Sequence, residues 1–135
     1  MKLNGKTAVI FGGNGDIGSN LIRKFFSHNI EKIYTSYHKK NDKINELKDI
    51  YGDRLFCSQI DVKDHNAVQD FVDNISQIDV GINCVGIIED ESIPKLSIES
   101  WQNVVQTNLT GAFNVSKSLF IKMKNQKKGK IINIS

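Results

Sequence analysis

Proline is nearly missing from this sequence. Pro94 is the only one in 135 residues, and no proline-rich tract, low-complexity segment or internal repeat divides the chain, so residues 1–135 are expected to be one domain or part of one. Cysteine is almost as scarce. Cys57 and Cys84 are the only two, and both fall in segments that read as buried strands. Free buried thiols in a reducing compartment account for them better than a disulfide or a metal site, so no metal is expected. Long apolar runs are missing too. None approaches the roughly 20 residues that cross a bilayer, and Met1–Lys6 lacks the apolar core of a signal peptide. A cytoplasmic protein with no membrane partner is expected. Charge of one sign is not in excess either: 18 basic and 15 acidic residues leave +3, too little to imply nucleic acid as a partner. Lys122, Lys124, Lys127, Lys128 and Lys130 sit close together, and this cluster reads as a solvated helix end, where cations suit the dipole.

Glycine is present where it matters. Thr7-Ala8-Val9-Ile10-Phe11 is a short apolar run that reads as a buried strand. Gly12-Gly13-Asn14-Gly15 cannot continue it, and Asp16-Ile17-Gly18-Ser19-Asn20-Leu21-Ile22 opens a helical pattern. Strand, glycine turn and helix are the layout of a dinucleotide phosphate site: the backbone can approach a pyrophosphate, and the helix start offers free N–H groups. Gly12, Gly15 and Gly18 give G-x-x-G-x-x-G rather than the common G-x-G-x-x-G. From this segment alone, an ordinary strand–turn–helix connection is the alternative.

The rest of the chain alternates in the same way. A first helix over Ile17–Ser27 carries Ile17, Leu21, Ile22, Phe25 and Phe26 on one face. Ile33–Tyr37 reads as a second strand, followed by a helix capped by Asn41 or Asp42, with Ile44, Leu47 and Ile50 inward and Gly52 closing it. Leu55–Ile60 is a third strand, and Asp64 caps a helix bearing Ala67, Val68, Phe71, Val72 and Ile75. Ile78–Asn83 is a fourth strand. Ser97 caps a long helix from Glu99 towards Lys124, with Val104, Val105, Leu109, Phe113, Val115, Leu119, Ile121 and Met123 inward and Gly111 marking close packing. Lys130–Ser135 is a fifth strand. Such alternation without a hairpin signal calls for a parallel, doubly wound α/β sheet, with order 3-2-1-4-5. Ligands then bind beyond the carboxyl ends of the strands. Those ends are Gly12–Gly18, Tyr37–Lys40, Asp61-Val62, Asn83–Gly86 and Ser135, and they should converge on one edge.

In an NAD site a carboxylate about 20 residues past the glycine turn holds the ribose 2′-OH. Here that position reads Tyr37-His38-Lys39-Lys40. Cations attract a 2′-phosphate that a carboxylate would repel, so NADP(H) is expected over NAD(H). At least one of these three basic side chains is an ordinary solvated residue. Asp61 either accepts from the adenine amino group or caps the next helix. Asn83, in an apolar strand, needs partners in backbone or cofactor. Asn108 sits mid-helix beside Thr107 and Thr110, where Asn is a poor interior residue. It is either structural or marks a helix irregularity that frees a carbonyl or holds a water.

Taken together, these residues resemble the short-chain dehydrogenase/reductase family over the whole chain. Gly12-Gly13-Asn14-Gly15-Asp16-Ile17-Gly18 looks like its T-G-x-x-x-G-I-G cofactor loop, Asp61-Val62 like its adenine-contacting pair, and Asn83-Cys84-Val85-Gly86 like its N-N-A-G strand end. Trp101 followed by Asn108-Leu109-Thr110-Gly111 looks like the helix that carries its catalytic Asn. Gly86-Ile87-Ile88-Glu89-Asp90 is similar to the corresponding loop of 3-oxoacyl-[acyl-carrier-protein] reductases. The resemblance implies a Rossmann-type fold and hydride transfer between a nicotinamide and a small carbonyl or alcohol substrate. It assigns cofactor contacts to Gly12, Asn14, Gly15, Asp16, Ile17, Gly18, Tyr37, His38, Lys39, Asp61, Val62, Asn83, Val85 and Gly86. It implies a catalytic role for Asn108, and a homo-oligomer built on the long helix and later elements.

Three departures stand out. Phe11 replaces the loop's Thr, Cys84-Val85 replaces Asn-Ala, and Asp16 replaces a glycine. An acidic side chain aimed at the pyrophosphate would repel it, so Asp16 is expected to point away. Ser135 matches the residue before the family's catalytic Ser, and the Tyr-x-x-x-Lys pair is not among these residues. An inactive or non-catalytic dinucleotide-binding piece is therefore the alternative to a complete reductase.

Overall fold

The computed structural model describes residues 2–135. Five parallel strands form one sheet in the order β3-β2-β1-β4-β5, as the alternation predicts. They are β1 (Thr7–Phe11), β2 (Lys32–Tyr37), β3 (Leu55–Gln59), β4 (Val80–Asn83) and β5 (Lys130–Asn133). Helices α1 (Asp16–Ser27), α2 (Asp42–Tyr51), α3 (His65–Asp73), α4 (Ile98–Val105) and α5 (Gly111–Gln126) connect them, with a short 3-10 turn at Gly52–Arg54.

β1 is the central strand, and a parallel strand covered on both faces must be apolar on both. Its side chains divide by alternation. Ala8 and Ile10 pack with Ile22 and Phe26 of α1 and Leu47 of α2. Val9 and Phe11 pack with Val68 and Val72 of α3 and Val115 and Leu119 of α5. Phe11, where the resemblance has a Thr, is wholly buried and meets the Phe71 ring edge-on at 5.6 Å.

The amino ends of the strands are tied by one carboxylate. Asp79, 6% exposed, accepts from the Thr7 amide at 3.1 Å, from Gln77 at 3.2 Å and from the Lys6 ammonium at 3.3 Å. Asp79 precedes β4, which begins at Val80 rather than at Ile78.

The predicted long helix is not continuous. Between α4 and α5, Gln106–Thr110 form a π-helical turn. A π-turn inserts a residue into the helix and rotates the turns beyond it, so the expected inner face does not run through. Val115, Leu119 and Met123 are buried, but Leu109, Phe113 and Ile121 are exposed. Gly111 does mark close packing: a Cβ there would lie 2.6 Å from Val62 Cγ2. Two smaller corrections are of the same kind. Ile50 turns outward at the end of α2 and Ile17 outward at the start of α1. Cys57 and Cys84 are half-buried rather than buried, and Cys84 lies beyond the end of β4.

Candidate functional site

The turn after β1 is built from backbone. The amides of Gly12 and Gly13 both donate to the Ser36 carbonyl of β2, at 3.0 and 2.9 Å, and Gly15 N–H donates back to Gly12 O at 3.1 Å. Gly12 has φ +82°, which favours glycine. A Cβ at Gly13 would fall 1.9 Å from Thr35 Oγ1, and one at Gly18 would fall 2.1 Å from Gly12 O. Thr35 is itself fixed by donating to Ile10 O at 2.7 Å. α1 thus seats directly on the turn.

The start of α1 differs from that of its neighbours. Asn41, Asp64 and Ser97 cap α2, α3 and α4 by accepting from the amides of Ile44, Ala67 and Ser100. Residue 15, a glycine, gives α1 no side-chain cap. The first-turn amides of a helix have no intrahelical acceptor, so those of Asp16, Ile17 and Gly18 remain open at the positive end of the helix dipole. Gly12, Asn14 and Gly15 line a cleft of about 520 Å³ along the carboxyl edge of the sheet.

The other strand ends close the same cleft. Tyr37, His38 and Lys39 line it from β2, Asp61 and Val62 from β3, and Val85 and Gly86 from β4. The backbone of the β2–α2 loop is held by neighbours: Gln59 donates to His38 O at 2.9 Å and Asn14 donates to Lys39 O at 2.7 Å. Asp61 does not cap α3, since Asp64 does. Its Oδ1 accepts from the Lys63 amide at 2.9 Å, and its Oδ2 lies 3.9 Å from His38 Nδ1. Asn83 is buried, and its Oδ1 accepts from the Val85 amide at 3.1 Å, shaping the strand end from behind. Burial pushes the Cys84 thiol up to about 11, so it stays protonated at neutral pH.

Asn108 sits in the π-turn. Its Oδ1 accepts from the Ile87 amide and its Nδ2 donates to the Ile87 carbonyl, both at 2.8 Å. A single side chain therefore clamps both backbone groups of the residue after Gly86. The Asn beside two threonines and a glycine is the sequence signal of this turn. Asn108→Ala is expected to lose both bonds, loosening the β4–α4 loop by about 2 kcal/mol. Amide hydrogen exchange at Ile87 checks this, and unchanged protection would count against the clamp.

Not every predicted residue lines the cleft. Asp16, Ile17, Gly18, Asn83 and Asn108 stand beside or behind its wall, and Ser135 does not reach it. Asp16 points outward, 88% exposed, and pairs with Lys43 of α2. That hydrogen bond and the Lys43 charge hold its carboxyl below the usual carboxylate range. Conversely, Ser36, Lys63, Glu89, Asn103 and Thr107 line the cleft although the sequence reading assigns none of them to the site. Lys63 donates to Asn103 at 3.3 Å and Asn103 to Glu89 at 2.6 Å. Hydrogen bonds from Asn103 and Ser100 hold the Glu89 carboxyl below its ordinary range. These residues meet only in three dimensions, and no spacing announces them. Among the described residues no group of three or more His, Cys, Asp or Glu side chains gathers as a metal site, and no helix is long and apolar enough to cross a membrane.

The short chain dehydrogenase family model matches residues 6–135. The chain belongs to that family. It is 32% identical to an acetoacetyl-CoA reductase of Acinetobacter sp. (strain RA3849), over 96% of this chain and 55% of that protein. It is 27% identical to a 3-oxoacyl-[acyl-carrier-protein] reductase of Chlamydia pneumoniae, over 98% of this chain and 56% of that protein. Among solved structures, the serine dehydrogenase of Escherichia coli superposes with TM-score 0.85 at 25% identity, covering 96% of this chain and 61% of the other. The chain thus spans little more than half the length of these curated relatives. The family consists of oxidoreductases that bind nicotinamide dinucleotides, and the residues of this short-chain dehydrogenase chain fit such a group. The start of α1 has no side-chain cap, and a Cβ at Gly86 would meet nothing nearer than Asn108 Oδ1 at 3.7 Å, so the room there is not taken up by the protein's own packing.

Proposed function

We propose that these residues form the dinucleotide-binding part of an NADP(H)-dependent short-chain reductase or dehydrogenase. The observation that carries this reading is the uncapped start of α1 on a glycine turn that opens into the cleft. The loop Gly12–Gly18 would hold the pyrophosphate with backbone N–H groups. Asp61 and Val62 would bracket the adenine, and Val85 and Gly86 would face the nicotinamide ribose, with Asn83 and Asn108 shaping that wall. The bound nicotinamide would supply the hydride chemistry, and the protein orients it. The substrate would be a small carbonyl or alcohol compound, and a 3-oxoacyl thioester is the class suggested by the names of the curated relatives. Exposed Trp101, Leu109, Phe113 and Phe120 suit the homo-oligomer contact that the resemblance implies.

NADP(H) is favoured over NAD(H) by charge. No carboxylate ends β2, and Lys39 and Lys40 form no ion pair among the described residues, whereas the Asp61 carboxylate already has His38 and Lys63 nearby. A charge-assisted bond to a 2′-phosphate is worth about 1.5–3 kcal/mol, so calorimetry should find NADPH bound at least about tenfold more tightly than NADH. Equal affinity would remove the preference. Gly86→Leu should block the cleft without unfolding the chain, since Gly86 is not in the left-handed region and has space beside it. The expected result is an unchanged denaturation midpoint with dinucleotide binding lost. Full binding by this variant would contradict the site.

A second reading is a dinucleotide-binding module without catalysis. It concerns these 135 residues taken by themselves, which include only Asn108 of the family's catalytic set. General acid–base chemistry needs a positioned proton donor. Ketone reduction by the 135-residue chain would exclude this reading.

A further inference from the structure

Asp16 puts a carboxylate at the first position of α1, where the resemblance has a glycine. An unpaired anion there would lie beside the same open amides that a pyrophosphate would use, and would repel it. The side chain does not sit over those amides. It leans across to α2 and pairs with Lys43, itself half-exposed on the first turn of that helix. Other bonds tie the same two segments together. Asn41, the cap of α2, donates to Asn14 O at 3.1 Å, and Asn14 donates to Lys39 O at 2.7 Å. About two turns further along α1 and one turn further along α2, Arg23 meets Glu46 at 2.9 Å. The position of Lys43 relative to the glycine turn is therefore set by these side-chain-to-backbone hydrogen bonds as well as by charge.

We propose that Lys43 is a positioning residue of the dinucleotide site, holding the Asp16 carboxylate against α2 so that its charge does not compete for the open amides of α1. The proposal rests on the dinucleotide reading above. Lys43 acts through Asp16, not by touching the ligand, and it does not line the cleft. Its effect falls on the pyrophosphate, which NADP(H) and NAD(H) share.

A double-mutant cycle tests this directly. NADPH and NADH are titrated by calorimetry into the wild-type chain, Lys43→Gln, Asp16→Asn and the double variant, at low and moderate salt. Lys43→Gln should weaken both dinucleotides alike, by about two- to fivefold, the range expected for one charge at an exposed helix start. The loss should shrink as salt rises. In the Asp16→Asn background, Lys43→Gln should change nothing. Wild-type affinity in Lys43→Gln overturns the proposal. A loss of equal size in both backgrounds, or one confined to NADPH, also overturns it, because Lys43 would then be reading a phosphate itself. If the wild-type chain binds neither dinucleotide, the reading of the site fails and the proposal falls with it. Binding by the wild type with an indifferent Lys43→Gln defeats the proposal alone.

Discussion

Gly18→Ala is expected to cost about 2–3 kcal/mol of stability and to abolish dinucleotide binding. A Cβ at this position would lie 2.1 Å from Gly12 O and 2.8 Å from Gly12 C. Both are backbone atoms of the turn that the amide of Gly13 helps pin to β2, so neither can rotate aside. α1 must move away from the turn, and overpacking of this kind costs about 1–3 kcal/mol, more where backbone shifts. The displacement also moves the open amides relative to the glycine turn. Gly15→Ala is the control, since its Cβ meets only Gly12 O at 3.4 Å, and its stability should match the wild type. Denaturant titration of the two variants, with a dinucleotide titration beside it, separates them. Equal stability would mean that the close seating of α1 is not required.

The second large effect is expected at the opposite edge of the sheet. Asp79→Ala should destabilise the chain by about 2–3 kcal/mol, because it removes a buried acceptor and leaves the Thr7 amide and the Lys6 ammonium without it. The same group makes stability depend on pH. Burial pushes the Asp79 carboxyl up, but hydrogen bonds from Thr7, Gln77 and Lys6 and the Lys6 charge outweigh burial and bring it below its ordinary 3.8. A carboxyl depressed in the folded state stabilises the fold fully above its unfolded value. That contribution is lost as pH falls below about 4 and through the folded value. The wild type should therefore lose stability on acidification in that window, and Asp79→Ala should lose less. Parallel pH profiles for the two proteins would show that Asp79 is not the group responsible.

Legibility in the sequence depends on range. The strand order and the glycine turn can be read because each rests on a local pattern: Thr7–Phe11 and Val80–Asn83 are apolar runs ended by polar residues, and parallel crossovers leave few orders open. The caps Asn41, Asp64 and Ser97 are legible for the same reason. Charge alone predicts that Asp16 points away, but it does not reveal the partner Lys43, since 27 residues separate them. The long helix reads as continuous because periodicity does not register one inserted residue. Asn108 beside Thr107 and Thr110 is the available hint. Glu89, Asn103 and Lys63 escape a reading of the sequence because their hydrogen bonds span 14 and 40 residues, and no single segment contains the pattern.

If the open amides at the start of α1 receive the dinucleotide pyrophosphate, they must respond to it. Amide chemical shifts of the isotopically labelled chain, recorded as NADPH is added, are the decisive observation. Saturable shifts are expected at Gly15, Asp16, Ile17 and Gly18, accompanied by shifts at Val85 and Gly86 across the cleft. Saturable binding that leaves those amides unmoved, with shifts instead at the apolar groove between Tyr34, Phe56 and Phe71, would place the dinucleotide elsewhere and contradict the assigned site.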